Sequence, residues 1–203
     1  MSRIREKNQE VIIKFAGRLF AEQGFAATKV ADIAKLADVP KPNVYYYFKT
    51  KENLYRAVLE SVTQPLLEAS SPIEQLDDPV QALTAYIQTK LRISRDHPFA
   101  SKVFANEVMS GAPYLPSDIG DELLAQSRMI IAKLERWIEK GVMSRVSPQH
   151  LMFTIWASTQ TYADFSWQIC NVLEKEALDD QDFADAAEFL TQLVIRGCQI
   201  KSA

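Results

Sequence analysis

The chain has 203 residues, of which 47% are hydrophobic and 24% are charged, and glycine occurs only 6 times. This balance is typical of an ordered, helix-rich protein and excludes a disordered or fibrous one. No apolar run reaches the roughly 18 residues of a membrane span, and the charged N-terminus lacks the apolar core of a signal peptide. We therefore expect a cytoplasmic protein, with no membrane partner, of one or two domains.

The charge is divided unevenly along the chain. Residues 1–51 hold 10 Lys and Arg against 5 Asp and Glu, whereas residues 52–203 hold 13 against 21. A basic N-terminal quarter on an acidic body favours contact between that quarter and a polyanion. The alternative is an asymmetry that arose by chance.

The first fifty residues predict three helices. Residues 6–23 carry apolar side chains at helical spacing, and Gly24 is expected to end this helix. Thr28 is expected to cap a short second helix, and Pro40 cannot lie in a helix interior. A third short helix is predicted from Pro42 to about residue 47. Thr50 is then expected to cap a longer helix that begins at residue 51.

The rest of the chain also predicts helices only. Pro residues, Gly residues and capping side chains place them at about 79–96, 98–110, 117–140, 148–175 and from 181 almost to the end. No useful strand alternation and no internal repeat occurs. The sequence therefore predicts an all-α protein of about nine helices.

The segment KPNVYYYF, residues 41–48, places aromatic side chains around one short helix. Val44, Tyr47 and Phe48 share a face that can pack inward, whereas Tyr45 and Tyr46 are expected to point outward with Lys41. Two short helices joined by a tight turn are typical of a helix-turn-helix motif, whose second helix enters the major groove of DNA. A tyrosine suits this surface, because its ring can meet a thymine methyl and its hydroxyl a phosphate oxygen.

The segment TKVADIAKLADVPKPNVYYYFKTKENLYRAVL resembles the DNA-binding region of the TetR family of transcriptional regulators. The matching positions are Thr28, Ile33-Ala34, Ala37 to Val39, Val44-Tyr45, Phe48, Lys51 and Leu54. Two positions depart from the family pattern: Asp38 replaces the usual glycine, and Pro40 replaces the usual serine. Any phosphate contact from that serine side chain, or from a backbone N–H at this position, is therefore absent here.

The resemblance implies a DNA-binding domain at residues 1–50 and a helical ligand-binding and dimerisation domain at residues 51–203. It also implies a homodimer, formed by the last two helices, that reads a near-palindromic double-stranded operator. The phosphate contacts expected by resemblance are Thr28, Tyr45, Tyr47 and Lys51. The expected base contacts are Lys41, Pro42 and Tyr46, and Asn43 lies on the same outward side.

Residues 148–173 are apolar nearly all round, so this helix is expected to be buried on all sides. The polar side chains inside it need partners, because an unpaired buried polar group costs about 1–3 kcal/mol. Hydrogen bonds between helices or across a dimer are one explanation, and a small polar ligand is the other. The polar residues concerned are Thr154, Ser158, Thr159, Gln160, Thr161 and Asp164.

Two blocks, residues 94–113 and 147–165, resemble the pyrimidine-utilisation (Rut repressor) type within this family, whose effector is uracil. The resemblance implies a flat, polar, pyrimidine-like effector held by an aromatic wall and an amide. The candidate contacts are Lys90, Phe104, Trp156, Thr159, Gln160 and Asp164. A regulator of the same architecture that senses an unrelated small molecule is one alternative. A helix-turn-helix interaction module without DNA binding is the other.

Nothing in the sequence indicates catalysis. His97 and His150 are the only histidines, and neither lies in a metal-binding spacing; GxSxG and glycine-rich phosphate loops are also missing. We therefore expect no enzymatic activity, no metal and no cofactor. Cys170 and Cys198 are expected to be buried free thiols.

Overall fold

A computed structural model describes residues 2–200 of the chain, and side chains from residue 5 onward. Over this range it contains eleven helices and no strand, which confirms the all-α prediction. The helices are α1 (Ser2–Ala27), α2 (Val30–Leu36), α3 (Lys41–Phe48), α4 (Lys51–Glu68), α5 (Ser71–Gln75), α6 (Pro79–Asp96), α7 (Pro98–Met109), α8 (Ser117–Glu139), α9 (Pro148–Asp164), α10 (Ser166–Val172) and α11 (Asp180–Gly197).

The chain divides into two compact units. The first unit comprises the residues up to Gln64 together with His97–Ile119, and the second comprises Pro65–Asp96 and the residues from Gly120 onward. The change between units therefore falls inside α4, between α6 and α7, and again near the start of α8. The expected boundary between residues 50 and 51 separates a DNA-binding domain from a ligand-binding domain. It is a division by function rather than by packing, and it stays a prediction.

The first unit is built around one apolar cluster. In it α1 packs on α2 and α7, and α2 packs on α3. Val44 and Phe48 of α3 are buried there at 1% and 8% exposure, as the sequence predicts. Buried members contributed by the other helices include Ile12, Phe20, Ile33, Leu54, Val58 and Val103.

The end of α1 confirms one sequence prediction and corrects another. Gly24 interrupts the helix with φ 77° and ψ 166°, a conformation that only glycine adopts readily. Thr28 does not cap α2, because its hydroxyl donates to the carbonyls of Leu19 at 3.2 Å and Gly24 at 2.7 Å. The carbonyls freed by the interruption need donors, and Thr28 supplies one. Thr50, in contrast, caps α4 as predicted, with its hydroxyl accepting from the Asn53 N–H at 3.1 Å.

The second unit is centred on α6, which packs against α5, α9 and α11. Trp137 of α8 is 2% exposed, and its indole N–H donates to the backbone carbonyl of Asp77 at 3.0 Å. Lys133, also buried, binds the Asp77 carboxylate at 3.1 Å. These contacts attach the turn before α6 to α8. None of the described helices is long and apolar enough to cross a membrane.

The predicted helix at 148–175 differs from the structure in two respects. It breaks at Phe165, so that α9 and α10 are separate. It is also not buried on all sides within the single chain, since Phe153 is 52% exposed and Trp167 is 79% exposed. Together with α5, whose five residues are too few to show a helical period, this break explains why the count exceeds the predicted nine.

The two cysteines are free. Cys198 is buried, as predicted, and its burial raises the pKa of its thiol. Cys170 is only half-buried, so the prediction of a buried thiol is wrong for this residue.

Candidate functional site

The outer side of α3 presents a mixed basic and aromatic surface. Lys41, Pro42 and Asn43 are exposed, and the rings of Tyr45 and Tyr46 are exposed at 42% and 61%. Because Val44 and Phe48 hold the opposite side of the helix in the core, these five side chains point outward together. The outward orientation predicted for Lys41, Tyr45 and Tyr46 is therefore confirmed.

Cations lie against the exposed rings of this surface. The Lys41 ammonium lies 5.8 Å from the centroid of the Tyr45 ring. The Lys49 ammonium and the Arg5 guanidinium lie 5.6 Å and 6.0 Å from the centroid of Tyr46. Positive charge held beside flat rings suits a polyanion with exposed apolar groups, which is the chemistry of a DNA groove. We call the exposed residues Arg5, Lys41, Pro42, Asn43, Tyr45, Tyr46 and Lys49 the α3 surface.

Lys51 has partners inside the protein. Its ammonium donates to the carbonyls of Phe25 at 2.8 Å, Thr28 at 3.2 Å and Ala26 at 3.3 Å. It also lies 4.4 Å from the Phe25 ring centroid. An ammonium has three donors, and all of them have acceptors here. This geometry makes Lys51 a cap on the end of α1, and a direct phosphate contact requires it to leave these carbonyls.

At two other predicted phosphate contacts, the side-chain hydroxyl already has a hydrogen-bond partner within the protein. Thr28 is 1% exposed, and its hydroxyl donates within α1 as described above. Tyr47 is half-buried beside the core of the first unit, and its hydroxyl accepts from the Asn8 amide at 3.4 Å. The α3 surface is therefore the better-placed group for contact with a large partner, while Thr28 and Lys51 fix the elements behind it.

The effector candidates of the second unit lie on α6 and α9, which pack together. The Trp156 indole N–H donates to the Tyr86 hydroxyl at 2.8 Å, and burial raises the pKa of Tyr86 to about 12. One turn further along α9, the Gln160 amide donates to the Asp164 carboxylate at 3.0 Å. An indole, a phenol, an amide and a carboxylate are thus brought onto neighbouring helices.

Thr159 serves the packing of these helices. It is completely buried, its hydroxyl donates to the Ile155 carbonyl at 2.8 Å, and its own carbonyl accepts from the Ser94 hydroxyl at 2.9 Å. The exposed Thr154 likewise donates along its helix, to the His150 carbonyl at 2.8 Å. For these two threonines the geometry favours the explanation by intrachain hydrogen bonds over a ligand.

Lys90 lies on α6 one turn after Tyr86. Burial lowers the pKa of Lys90 to about 8, and no carboxylate among the described side chains offsets that effect. Part of the residue stays accessible, so the ammonium can still meet a molecule from outside. A poorly solvated cation of this kind gains strongly from an oxygen acceptor.

Lys90 makes the stability of the chain depend on pH. A buried base with a lowered pKa destabilises the folded state below about pH 8, and the cost is relieved as the pH rises towards the unfolded value of about 10.4. Relative to Lys90→Met, we expect the unfolding free energy of the native protein to rise by about 1–3 kcal/mol across this window. Urea unfolding at several pH values measures it. Gln88→Met, on an exposed position of the same helix, is the control, and parallel curves for the native protein and Lys90→Met contradict the expectation.

Phe104, the remaining effector candidate, belongs to the first unit. It is half-buried and packs against the apolar cluster of that unit. The structure therefore brings Trp156, Gln160 and Asp164 of α9 together with α6, but it gives Phe104 a separate packing role.

Comparison with known proteins decides the family. Residues 12–58 match the model of bacterial regulatory proteins of the tetR family, and residues 59–201 match the YcdC-like protein C-terminal region. The HTH-type transcriptional regulator RutR of Escherichia coli K12 is 36% identical over 196 residues, which cover 97% of this chain and 92% of that protein. The chain belongs to the TetR family.

Other relatives agree with this assignment. The HTH-type transcriptional repressor NicS of Pseudomonas putida is 25% identical over 95% of this chain and 92% of its own. The solved structure of the ketosteroid regulator KstR2 of Mycobacterium tuberculosis superposes with a TM-score of 0.77 at 19% identity, over 96% of this chain and 95% of that one. AibR, solved with isovaleryl coenzyme A and operator DNA, has a TM-score of 0.68 at 14% identity, over 92% and 97%. These structures show the same fold.

Sequence reasoning on this TetR protein missed three residues that the geometry adds. Arg5 and Lys49 lie beside the exposed ring of Tyr46, and Tyr86 is the hydrogen-bond partner of Trp156. Tyr86 could have been found, because it lies four residues before Lys90 on the same helical face. Arg5 could not, because its proximity to α3 depends on how α1 packs.

Proposed function

We propose that this TetR protein is a ligand-responsive repressor. It binds a near-palindromic operator as a homodimer, and a small, flat, polar effector related to uracil releases it. The exposed α3 surface is the observation that carries the DNA-binding part of the proposal. The effector part rests on the polar and aromatic groups of α6 and α9, and on the relationship to RutR.

The α3 surface supports direct reading of a major groove. Lys41 can donate to guanine O6 and N7, and Asn43 suits the donor and acceptor of adenine. Pro42 and the Tyr46 ring offer apolar contact to thymine methyl groups. Lys49 and Arg5 add charge for the phosphates on either side. We assign Tyr45 to a phosphate, because its hydroxyl lies at the end of an exposed ring.

Exposed apolar side chains of the second unit support dimerisation. On α11, Phe189 and Leu193 are 65% and 51% exposed and lie one turn apart. Exposed apolar groups of this size in one region are typical of a protein interface. Two copies joined through α9, α10 and α11 present two α3 helices to half-sites about 34–36 Å apart. The further exposed residues are Phe153, Phe165, Trp167, Val172 and Leu173.

A pyrimidine suits the effector candidates chemically. Its flat ring can lie on Trp156, and its adjacent carbonyl and N–H groups match the amide of Gln160 and the carboxylate of Asp164. The Lys90 ammonium supplies a donor for a second carbonyl. Residues 94–113 and 147–165 resemble the pyrimidine-utilisation type, which agrees with the 36% identity to RutR.

Release of DNA requires the effector to favour the state that does not bind DNA. The ratio of its affinities for the two states sets the loss of operator affinity, and DNA must weaken effector binding by the same factor. We assign the transmission of this change to α4, which begins in the first unit and ends in the second. A TetR regulator of the same architecture with an unrelated effector is the second candidate.

Fluorescence anisotropy on labelled DNA from the upstream region of its own gene tests the effector proposal. We expect uracil, thymine or dihydrouracil at micromolar concentration to lower the operator affinity of the native protein. Gln160→Ala is expected to weaken the effector response about tenfold, because one paired amide is lost, and to leave operator affinity without effector unchanged.

Two matched variants sharpen that experiment. Gln75→Ala, at an exposed position on α5, removes the same kind of side chain away from the candidate site and from the proposed dimer interface, and should respond like the native protein. Tight operator binding that no pyrimidine alters would leave the DNA-binding proposal standing and reject the pyrimidine effector. An unchanged response in Gln160→Ala would reject this assignment of the site.

A further inference from the structure

A cavity of about 320 Å³ lies within the first unit, and its lining residues do not include the effector candidates of α6 and α9. It is bordered by the C-terminal part of α1, by α4 and α7, and by the loop that follows α7. Its buried lining includes Phe20, Tyr55, Val103 and Glu107. Exposed Met109 and Ser110 stand at its border.

Glu107 brings a carboxylate into this lining. The residue is 2% exposed, and its Oε2 accepts from the Tyr55 hydroxyl at 3.1 Å. Its Oε1 accepts from the backbone N–H of Tyr114 and from that of Leu115, the latter at 3.1 Å. A carboxylate has about four acceptor positions, so Oε1 is filled and Oε2 retains one.

The charge of Glu107 has hydrogen-bond donors but no counter-ion. Among the side chains from residue 5 to residue 200, no Lys, Arg or His lies within ion-pair distance of its carboxylate. Buried carboxylates are usually paired with a cation. The loop N–H groups satisfy the acceptor positions of Oε1. The remaining acceptor position of Oε2 and the adjacent cavity are not explained by these hydrogen bonds.

Aromatic rings form the wall of the cavity. The centroids of Phe25 and Tyr114 are 4.7 Å apart, and those of Phe25 and Tyr55 are 5.1 Å apart. Tyr55 and Tyr114 lie edge to face at 5.5 Å. Ring faces attract cations through their quadrupole, and rings also cover apolar groups. A carboxylate and three rings around one cavity form a surface complementary to an organic cation.

We propose that this cavity is a second ligand site, which binds a small organic ammonium compound. The ammonium donates to Glu107 Oε2, and the apolar part of the ligand lies against Phe25, Tyr55 and Tyr114. The site is independent of the pyrimidine effector and of the operator contacts. It places a binding site for a cation in the same unit as the helix-turn-helix motif.

Isothermal titration calorimetry on the full-length protein tests the site with two matched probes. Phenethylammonium chloride carries the charge, and 2-phenylethanol has the same ring and chain length with a neutral hydroxyl. We expect the ammonium to bind at least about tenfold more tightly, because a charge-assisted hydrogen bond and the ring faces favour it. In Glu107→Gln this preference is expected to disappear.

Two further variants keep the test decisive if Glu107→Gln folds poorly by circular dichroism. Ser110→Trp places a large side chain at the border of the cavity and should reduce ammonium binding at least about tenfold. Glu135→Gln removes an exposed carboxylate of the second unit, on α8, and should have no effect. Equal binding of the two probes, or ammonium binding that survives in Ser110→Trp, overturns the proposal. Loss of ammonium binding in Glu135→Gln makes the effect nonspecific and overturns the proposal as well.

Discussion

Operator affinity is expected to fall about 100-fold or more when Lys41 and Tyr46 are both replaced by alanine. In the proposed dimer, each replacement removes a proposed base contact from both copies, and one such contact is worth about 1–3 kcal/mol. Effector binding should be unchanged, because both side chains are exposed on α3 of the first unit, whereas the candidate effector contacts on α6 and α9 belong to the second. Fluorescence anisotropy at several salt concentrations measures the affinity and its salt dependence.

Lys51→Met is the informative comparison for this experiment. If Lys51 caps α1, its loss lowers the melting temperature and weakens operator binding while the slope of log affinity against log salt stays the same. If Lys51 binds a phosphate, that slope falls by about 1 for each copy. Arg145→Ala, at an exposed position of the second unit, controls for a general change in charge.

Native-like operator binding by the Lys41 and Tyr46 double variant rejects the α3 surface as the DNA interface.

The double variant Phe189→Glu, Leu193→Glu is expected to convert the proposed dimer into a monomer. Two carboxylates would replace the exposed apolar side chains of α11. Association with a second copy would then bury these charges away from water, which costs free energy and opposes the dimer. Light scattering should then report the 23.0 kDa mass of one chain instead of twice that value. Operator affinity should fall at least about 100-fold, because two linked half-site contacts become one.

Gln192→Glu provides the matched control for this experiment. Gln192 is also exposed on α11, but it borders a groove between α11 and α6. The same charge at this position should leave both the mass and the operator affinity close to native. A dimer that survives the double variant assigns dimerisation to another surface, and loss of the dimer in Gln192→Glu makes the effect nonspecific.

Helix boundaries are the part of this fold that the sequence predicts best. Pro79, Pro98 and Pro148 begin helices because proline is tolerated in a first turn, and Gly24 interrupts one because its φ is positive. The inward face of α3 could be predicted equally well from the sequence, because residues three and four positions apart lie on the same side of a helix. These predictions depend on local backbone geometry, which a single sequence contains.

The partners of long side chains could not be predicted in the same way. The Lys51 ammonium reaches carbonyls 23 to 26 residues earlier in the chain, and this distance depends on how α4 packs beside α1. The break at Phe165 was missed because the apolar residues continue through it without a proline or glycine. Candidate effector residues on α9 were identified by resemblance, and the Tyr86 partner of Trp156 emerged only from the packing of two helices.

The backbone conformation at Gly24 also limits which residue types this position can accept. An added Cβ would meet no atom within 4 Å, so the position is not restricted by a clash at the Cβ. The φ of 77° and ψ of 166° alone penalise every L-amino acid. Asp38, at φ 52°, occupies the left-handed region that asparagine and aspartate enter. We therefore expect natural variants of this chain to show several residue types at position 38. At position 24 we expect glycine alone, because it is the only residue without a chiral α-carbon.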